Sequence, residues 1–172
     1  MEAPVSGSRG PAEAGELVAM LAGQADALEL AREIIRPCCR EIFDCGGPPN
    51  ALRMKLAVNL FLITLVTGLV EATHFARRAG LDLETFCAIV KAGPMSSAVS
   101  RGKLDKLVTQ DFSVQASIRD VLKNSRLVEA ATIDAGVSAP LISQCTLLYE
   151  RAIELGVGDL DMAAVLRSFE KT

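Results

Sequence analysis

A fifteen-residue stretch without a charged side chain, from Leu56 to Val70, constrains the fold of this 172-residue chain more than any other feature. Lys55 and Glu71 flank the stretch. A transmembrane helix needs about twenty apolar residues to cross roughly 30 Å of hydrocarbon. At about 1.5 Å per residue this stretch would span only about 22 Å. We therefore interpret it as the buried centre of a helical domain or dimer and predict no membrane span.

Composition excludes several classes of protein. Half of the residues are apolar, with six Phe, one Tyr and no Trp, which suits packed helices. A net charge of −3 argues against general nucleic-acid binding. The five cysteines, with one histidine and no CxxC spacing, predict reduced and mostly buried thiols, no metal site and a cytoplasmic setting. The N-terminus has no apolar h-region, so we expect no signal peptide.

The chain changes character near residue 46. Before it, short apolar runs at residues 2–5, 17–21 and 41–43 are typical of strands, and residues 26–36 have helical periodicity. These strands are too few to predict a sheet with both faces covered. After residue 50 the sequence predicts six helices. Their expected positions are Leu52 to Arg78, a helix capped by Asp82, one from Ser96 or Ser97 to Gln110, Gln115 to Ala135, Pro140 to Gly156, and a short one capped by Asp161.

Apolar and basic patterns give finer expectations for the helical region. We expect the helix after Asp82 to turn Leu83, Phe86, Ile89 and Val90 inward. The basic cluster of Arg101, Lys103 and Lys106 is interrupted by Asp105 and is interpreted as a solvated face. His74 has no second ligand at helical spacing and is interpreted as structural.

Lys55 and Asn59 are the strongest candidates for chemistry. They lie one helical turn apart on the same face, at the start of the apolar stretch. A partly desolvated lysine has a lowered pKa, which suits proton transfer. A lysine in this position also commonly extends to solvent, and a lone asparagine commonly bonds a neighbouring helix. The residues alone leave both interpretations open.

Four stretches of the chain resemble the second half of the β-hydroxyacid dehydrogenases, the group that contains 3-hydroxyisobutyrate dehydrogenase. They are Ala3 to Ser8, Met54 to Asn59, Leu122 to Asn124 and Gly158 to Asp161, and they follow the family's order and spacing. The nearest resemblance is to the glyoxylate and succinic semialdehyde reductases. It implies a mainly α fold: residues 1–47 as a short α/β remnant of a Rossmann domain, and 48–172 as an all-helical, 6-phosphogluconate dehydrogenase-like domain for catalysis and dimerisation.

The resemblance also implies roles for five residues. Lys55 would be the catalytic acid or base, with Asn59 beside it on the substrate. Ser6 and Gly7 match the family's substrate-carboxylate loop, and Lys123 matches a lysine near the cofactor. The implied reaction is NAD(P)-dependent interconversion of a small hydroxy acid and its aldehyde or keto acid. A small carboxylate substrate and a homo-oligomer formed through the helical half are implied as well.

Three departures from the family pattern limit these expectations. Pro49 and Ala51 replace family glycines before the catalytic helix, and the family's Lys-Asp pair is Lys123-Asn124 here. No GxGxxG motif occurs, so the main dinucleotide site is absent. We therefore expect this chain alone to be inactive, as a truncated gene product or a chain whose start was missed. The resemblance implies NADP or NAD as the cofactor. The alternative is a non-catalytic helical dimerisation module left after loss of the Rossmann domain.

Overall fold

The computed structural model describes residues 1 to 170 and shows a mainly α chain with three short strands near its N-terminus. The chain forms two compact units, Met1–Leu60 and a second that begins at Phe61. The boundary between them falls within a long helix. The elements are β1 (Val5–Ser6), α1 (Arg9–Glu13), β2 (Leu17–Leu21), α2 (Ala25–Ile35), β3 (Cys39–Asp44), α3 (Asn50–Arg78), α4 (Leu83–Ala92), α5 (Ala98–Thr109), α6 (Ile118–Asp134) and α7 (Pro140–Glu154), with 3₁₀ turns at Arg36–Cys38 and Met162–Ser168.

The mainly α fold class predicted from the sequence is therefore confirmed, as are the positions of the helices after residue 50. In the N-terminal part, the sequence missed α1, because Gly10 and Pro11 are typical loop residues. The domain boundary after residue 47 is not tested by this architecture and stays a prediction.

The sheet of the first unit has the order β1-β2-β3, with β1 antiparallel and β3 parallel to the central β2. Ala19 of β2 lies opposite both Val5 and Ile42. Residues Ala19 to Ala22 are all buried, as expected for a strand with neighbours on both sides and layers above and below.

The central strand β2 is packed on both of its faces, whereas four of the six residues of β3 are exposed, so the sheet is covered only at its centre. Leu21 packs against Leu28 and Ala31 of α2 on one face. Met20 and Ala22 pack against Ala51 at the start of α3 on the other. Two helices suffice because the central strand alone supplies most of the buried side chains.

Local capping chemistry defines the helix ends of the second unit. The Asp82 carboxylate accepts from the Thr85 amide, and the Ser97 and Ser100 side chains form a capping box at the start of α5. Asp161 caps the last 3₁₀ segment through the Ala163 amide. All three caps were predicted from the sequence, because each depends on residues within one turn.

The inward side of α4 was predicted only in part. Leu83, Phe86 and Val90 are half-buried, whereas Ile89 is 65% exposed and Cys87 is buried instead. The thiols likewise depart from expectation: all five cysteines are free, but only Cys87 and Cys145 are buried. His74 is half-buried, with its ring 6.1 Å from that of Phe169.

A buried ion pair ties α5 to the C-terminal segment. Lys103 Nζ donates to both Asp161 oxygens, at 2.7 and 2.9 Å, and Asp161 is fully buried. Asp161 also accepts from the amides of Gln115, Ala116 and Ala163. Burial lowers the pKa of the Lys103 ammonium, and the Asp161 carboxylate acts in the opposite direction.

The solvated basic face predicted for α5 was therefore wrong for two of its three members. Lys106 is also buried, and its ammonium donates to the carbonyl and the hydroxyl of Ser113. Arg101 is exposed, as expected. Lys103 is paired with Asp161, fifty-eight residues away, whereas the partner of Lys106 lies in the loop directly after α5; a local pattern of charges contains neither contact.

Helix α3 has 29 residues and is long and apolar enough to cross a membrane by length and composition. The core helix of a soluble protein passes the same test. One third of its most apolar 18-residue window is buried within the protein. Ile63, Val66 and Val70 are buried in the second unit, while Phe61 and Phe75 are each about two-thirds exposed.

Candidate functional site

The N-terminal end of α3 carries the candidate catalytic pair. Lys55 is half-buried, and this burial lowers the pKa of its ammonium. Asn59, one turn later, is 5% exposed, and its side chain forms no hydrogen bond with any residue from 1 to 170. The donors and the acceptor of this amide are therefore available to a ligand. The pair combines a half-buried lysine of lowered pKa with an asparagine whose amide has no hydrogen-bond partner among the described residues.

A hydrogen bond to a side chain and apolar packing hold the start of α3 against the sheet of the first unit. The Leu52 amide donates to the Glu2 carboxylate at 3.3 Å, and Glu2 forms a bridge with Ala22 after β2. Ala51 is fully buried in the cluster beneath. The alanine that replaces a family glycine is thus a packing residue, and it anchors the turn that precedes Lys55.

Ser6 and Gly7 form the turn at the other end of β1. Gly7 has a φ of +137°, and a Cβ there would lie 2.6 Å from Cδ2 of Leu17 and 3.2 Å from Cβ of Pro11. Only glycine can adopt this φ without strain and also avoid these two close contacts. Ser6 is half-buried, and its hydroxyl makes no hydrogen bond with the described residues. The turn therefore presents a free hydroxyl beside closely packed residues, and its role as a carboxylate loop stays a prediction.

The two candidate elements of the first unit are separate features of its fold. Ser6 lies four residues after Glu2, which is about 13 Å for an extended chain at 3.3 Å per residue, whereas Lys55 follows the Leu52 contact with Glu2 by about one helical turn. No hydrogen bond or ion pair in residues 1–170 joins the turn to Lys55 or Asn59. Lys123 belongs to the second unit.

Lys123 lies on α6 in a surface groove of about 530 Å³. Three cations, Arg119, Lys123 and Arg126, line it together with the apolar side chains of Leu122, Leu127 and Ile153. Lys123 is exposed and forms no ion pair with any residue from 1 to 170. The cations follow one another at spacings of four and three residues on one helix face. That spacing is visible in the sequence, but the family resemblance pointed only to Lys123.

Gly158 makes room for one of these cations. A Cβ at this residue would lie 2.7 Å from Cδ1 of Ile153 and 3.2 Å from Nη2 of Arg119. The Gly158 carbonyl also accepts from the Arg119 amide at 3.0 Å. The φ of Gly158 lies outside the left-handed region, so glycine is required here by the lack of space for a side chain and not by the backbone conformation. In the segment Gly158 to Asp161, Gly158 leaves space for Arg119 and Asp159 forms an ion pair with it. Asp161 instead pairs with the buried Lys103.

The donors in the groove fit phosphate groups better than a metal ion, because its polar lining is cationic and contains no carboxylate. Within residues 1 to 170, no three His, Cys, Asp or Glu side chains come together in a way that could hold a metal.

Comparisons with known proteins agree with this architecture. A glyoxylate/succinic semialdehyde reductase from Arabidopsis thaliana is 29% identical over 98% of this chain, which covers 58% of that protein. A cytokine-like nuclear factor N-PAC from Aedes aegypti is 27% identical over 96% of the chain, which covers 30% of that protein. A 3-hydroxyisobutyrate dehydrogenase structure from Salmonella typhimurium shares the fold, with 23% identity, a TM-score of 0.88, and coverage of 96% of this chain and 58% of that one.

The chain thus spans at most about three-fifths of the relatives that it matches here. Two separate parts of the chain match two family descriptions. Residues 1–47 match the NAD-binding domain of 6-phosphogluconate dehydrogenase. Residues 50–169 match the NAD-binding domain of NADP-dependent 3-hydroxyisobutyrate dehydrogenase. Because this second match covers more than half of the sequence, the chain belongs to the 3-hydroxyisobutyrate dehydrogenase family of NAD(P)-dependent oxidoreductases.

Proposed function

We propose that this chain is the substrate-binding and catalytic portion of a β-hydroxyacid dehydrogenase that interconverts a small hydroxy acid and its aldehyde or keto acid. The observation that carries the proposal is the environment of Lys55, a half-buried amine of lowered pKa with the unpaired, buried amide of Asn59 one turn away. The name of the Arabidopsis relative, a glyoxylate/succinic semialdehyde reductase, supports small aldehyde acids as substrates.

Each proposed residue has a defined task. Lys55 Nζ donates a proton to the carbonyl oxygen during reduction and removes the hydroxyl proton during oxidation. The Asn59 amide orients that oxygen, and the Ser6 hydroxyl and Gly7 backbone amide bind the substrate carboxylate. A bound nicotinamide cofactor supplies or accepts the hydride. Because the chain lacks GxGxxG, we expect no turnover by the chain alone.

A labelling experiment tests the proposal without turnover. Glyoxylate condenses with a neutral amine, and cyanoborohydride reduces the resulting imine to a stable carboxymethyl group that mass spectrometry locates. Near pH 8, Lys55 is expected to be labelled well before the exposed Lys123, and succinate is expected to protect Lys55 by occupying the carboxylate loop. Labelling of all lysines at equal rates, with no protection by succinate, would contradict the catalytic assignment.

The second candidate function is a non-catalytic helical module, which the similarity to N-PAC favours because that protein's name describes a nuclear factor and no enzyme. The labelling experiment discriminates between the two, because an inert module gives no preference for Lys55 over Lys123; addition of NADPH with glyoxylate or succinic semialdehyde is a second test, with no turnover expected of the chain alone. Saturable NADPH oxidation would exclude the inert module. If turnover is seen, Lys55→Ala should abolish it, and retention of the full rate would refute the role of Lys55.

We also propose that two copies of the chain associate through the second unit's part of α3. Phe61, Gly68 and Phe75 recur every seven residues, and all three are exposed. A heptad stripe with a small residue between two aromatics suits close packing of two identical helices. Light scattering at micromolar concentration should give a dimer for the native chain and a monomer for Phe61→Glu. A monomeric native chain would refute this assembly.

A further inference from the structure

Two adjacent cysteines lie where the chain enters β3, and neither takes part in the proposed chemistry of Lys55. Cys38 ends the 3₁₀ turn and is exposed, and Cys39 begins the strand and is half-buried. Both thiols are free. We propose that this pair is a binding site for trivalent arsenicals, compounds in which arsenic exchanges its oxygen for bonds to both sulfur atoms.

The backbone around the two thiols is ordered without a ligand. The Cys39 amide donates to the Arg36 carbonyl, which fixes the peptide between the two cysteines. Cys39 also pairs with Leu17 of β2, and the register of the two strands shifts directly after this pair. Cys38 belongs to the turn, so its side chain does not follow the alternation that sends successive strand residues to opposite faces. A ligand that needs both sulfur atoms therefore binds with little ordering of the backbone.

The two thiols also interact electrostatically. Burial raises the pKa of the Cys39 thiol, and the neighbouring Cys38 thiol raises it further. An effect of this kind acts between ionisable groups at short range. Cys39 is therefore mostly protonated at neutral pH. A trivalent arsenical reacts with a protonated dithiol: its oxygen leaves as water with the two thiol protons, arsenic forms one bond to each sulfur, and no oxidation state changes.

The spacing of the pair suits a bridging atom better than a direct disulfide. The peptide between Cys38 and Cys39 is trans, so their Cα atoms lie about 3.8 Å apart. That is less than the roughly 4.4–6.8 Å between the Cα atoms of an ordinary disulfide. An arsenic atom between the sulfur atoms lengthens the bridge, and its pyramidal geometry accepts two thiolates side by side.

The number of ligands separates this site from a zinc site. Structural zinc takes four protein ligands. Within residues 1 to 170, no three His, Cys, Asp or Glu side chains come together in a way that could hold a metal. Cys45 follows Cys39 by six residues, about 20 Å along an extended strand, and is too far to act as a third ligand. An organic arsenical carries its own third substituent and needs only the two thiols.

Phenylarsine oxide, added to the full chain under reducing conditions, tests the proposal. Mass spectrometry should show one adduct that excess glutathione, a monothiol, does not remove and that ethanedithiol does. Trypsin cleavage after Arg32 and Arg40 leaves both thiols on one peptide that contains no other cysteine, which locates the adduct. Cys38→Ser and Cys39→Ser should each weaken binding at least about a hundredfold, because the second thiol reacts intramolecularly. The matched control, Cys45→Ser, should leave binding unchanged.

The contrary outcomes are equally specific. An adduct that glutathione removes would show attachment through a single thiol and would overturn the proposal, as would equal affinity in the native chain and Cys39→Ser. If a serine variant fails to fold by circular dichroism, alkylation of the native chain decides. The bound arsenical should protect Cys38 and Cys39 from iodoacetamide while Cys45 is labelled as before, and labelling of either member of the pair would refute the bridge.

Discussion

The ion pair between Lys103 and Asp161 gives the sharpest prediction for stability. Asp161 has no exposed surface and accepts five hydrogen bonds, two from Lys103 and three from backbone amides. Asp161→Asn leaves a buried ammonium without its counter-charge. Removal of one partner of a buried pair costs about 3–5 kcal/mol. Lys103→Met is expected to cost less, because three amides still stabilise the remaining carboxylate.

Urea unfolding followed by far-UV circular dichroism measures these costs. With a slope near 2 kcal/mol per molar urea, about 4 kcal/mol corresponds to a fall of roughly 2 M in the midpoint. The double variant should be more stable than the sum of the single effects implies, because it leaves no unpaired buried charge.

The exposed pair Lys91–Asp105, which also involves α5, is the matched control. Lys91→Met and Asp105→Asn should leave the midpoint unchanged, because solvent screens both charges. If Asp161→Asn shifts the midpoint by no more than these controls, or if the effects of Lys103→Met and Asp161→Asn simply add, the assigned energy of the buried pair is refuted.

Three further predictions concern single residues. Burial lowers the pKa of Lys55, so the charged ammonium destabilises the folded state at neutral pH, and this destabilisation is lost as the pH rises toward 10.5. Lys55→Met should therefore not lower the melting temperature at pH 7. A clear loss relative to Lys123→Met would contradict this expectation. Gly7→Ala should cost about 1–3 kcal/mol in chemical unfolding, whereas Gly10→Ala, with open space around its Cα and a position in α1, should cost nothing. Ser97→Ala removes the bond from the Ser100 amide to Ser97 Oγ and leaves the bond from the Ser97 amide to Ser100 Oγ, so it should lower stability by about 1 kcal/mol; equal stability of the two chains would count against the cap.

What the sequence predicted well depended on interactions between near neighbours. The caps at Asp82 and Ser97 and the end of α3 before Gly80 follow from residues within one turn. The long helix itself follows from its uncharged stretch. Each of these features is decided locally, so a single sequence contains the necessary information.

What it failed to predict depended on distant segments. Lys103 is buried because Asp161, fifty-eight residues away, lies over it. Ile89 is exposed although its helical periodicity predicts burial, and Cys87 takes the inward position. In the candidate site, the resemblance supplied Lys55, Asn59 and Lys123. The four- and three-residue spacing of Arg119, Lys123 and Arg126 was present in the sequence, but the approach of Gly158 to Arg119, thirty-nine residues away, was not.

The small sheet also affects how the chain behaves in solution. Within residues 1–170, β1 and β3 each pair with one neighbour, so each has an edge open to strand addition. Pro4 precedes the short β1, and the outer strand β3 carries Arg40, Glu41 and Asp44. Proline and charged side chains on edge strands discourage indiscriminate pairing, which protects against amyloid-like assembly. Substitutions that improve the hydrophobicity of β3 would therefore reduce solubility before they improve folding.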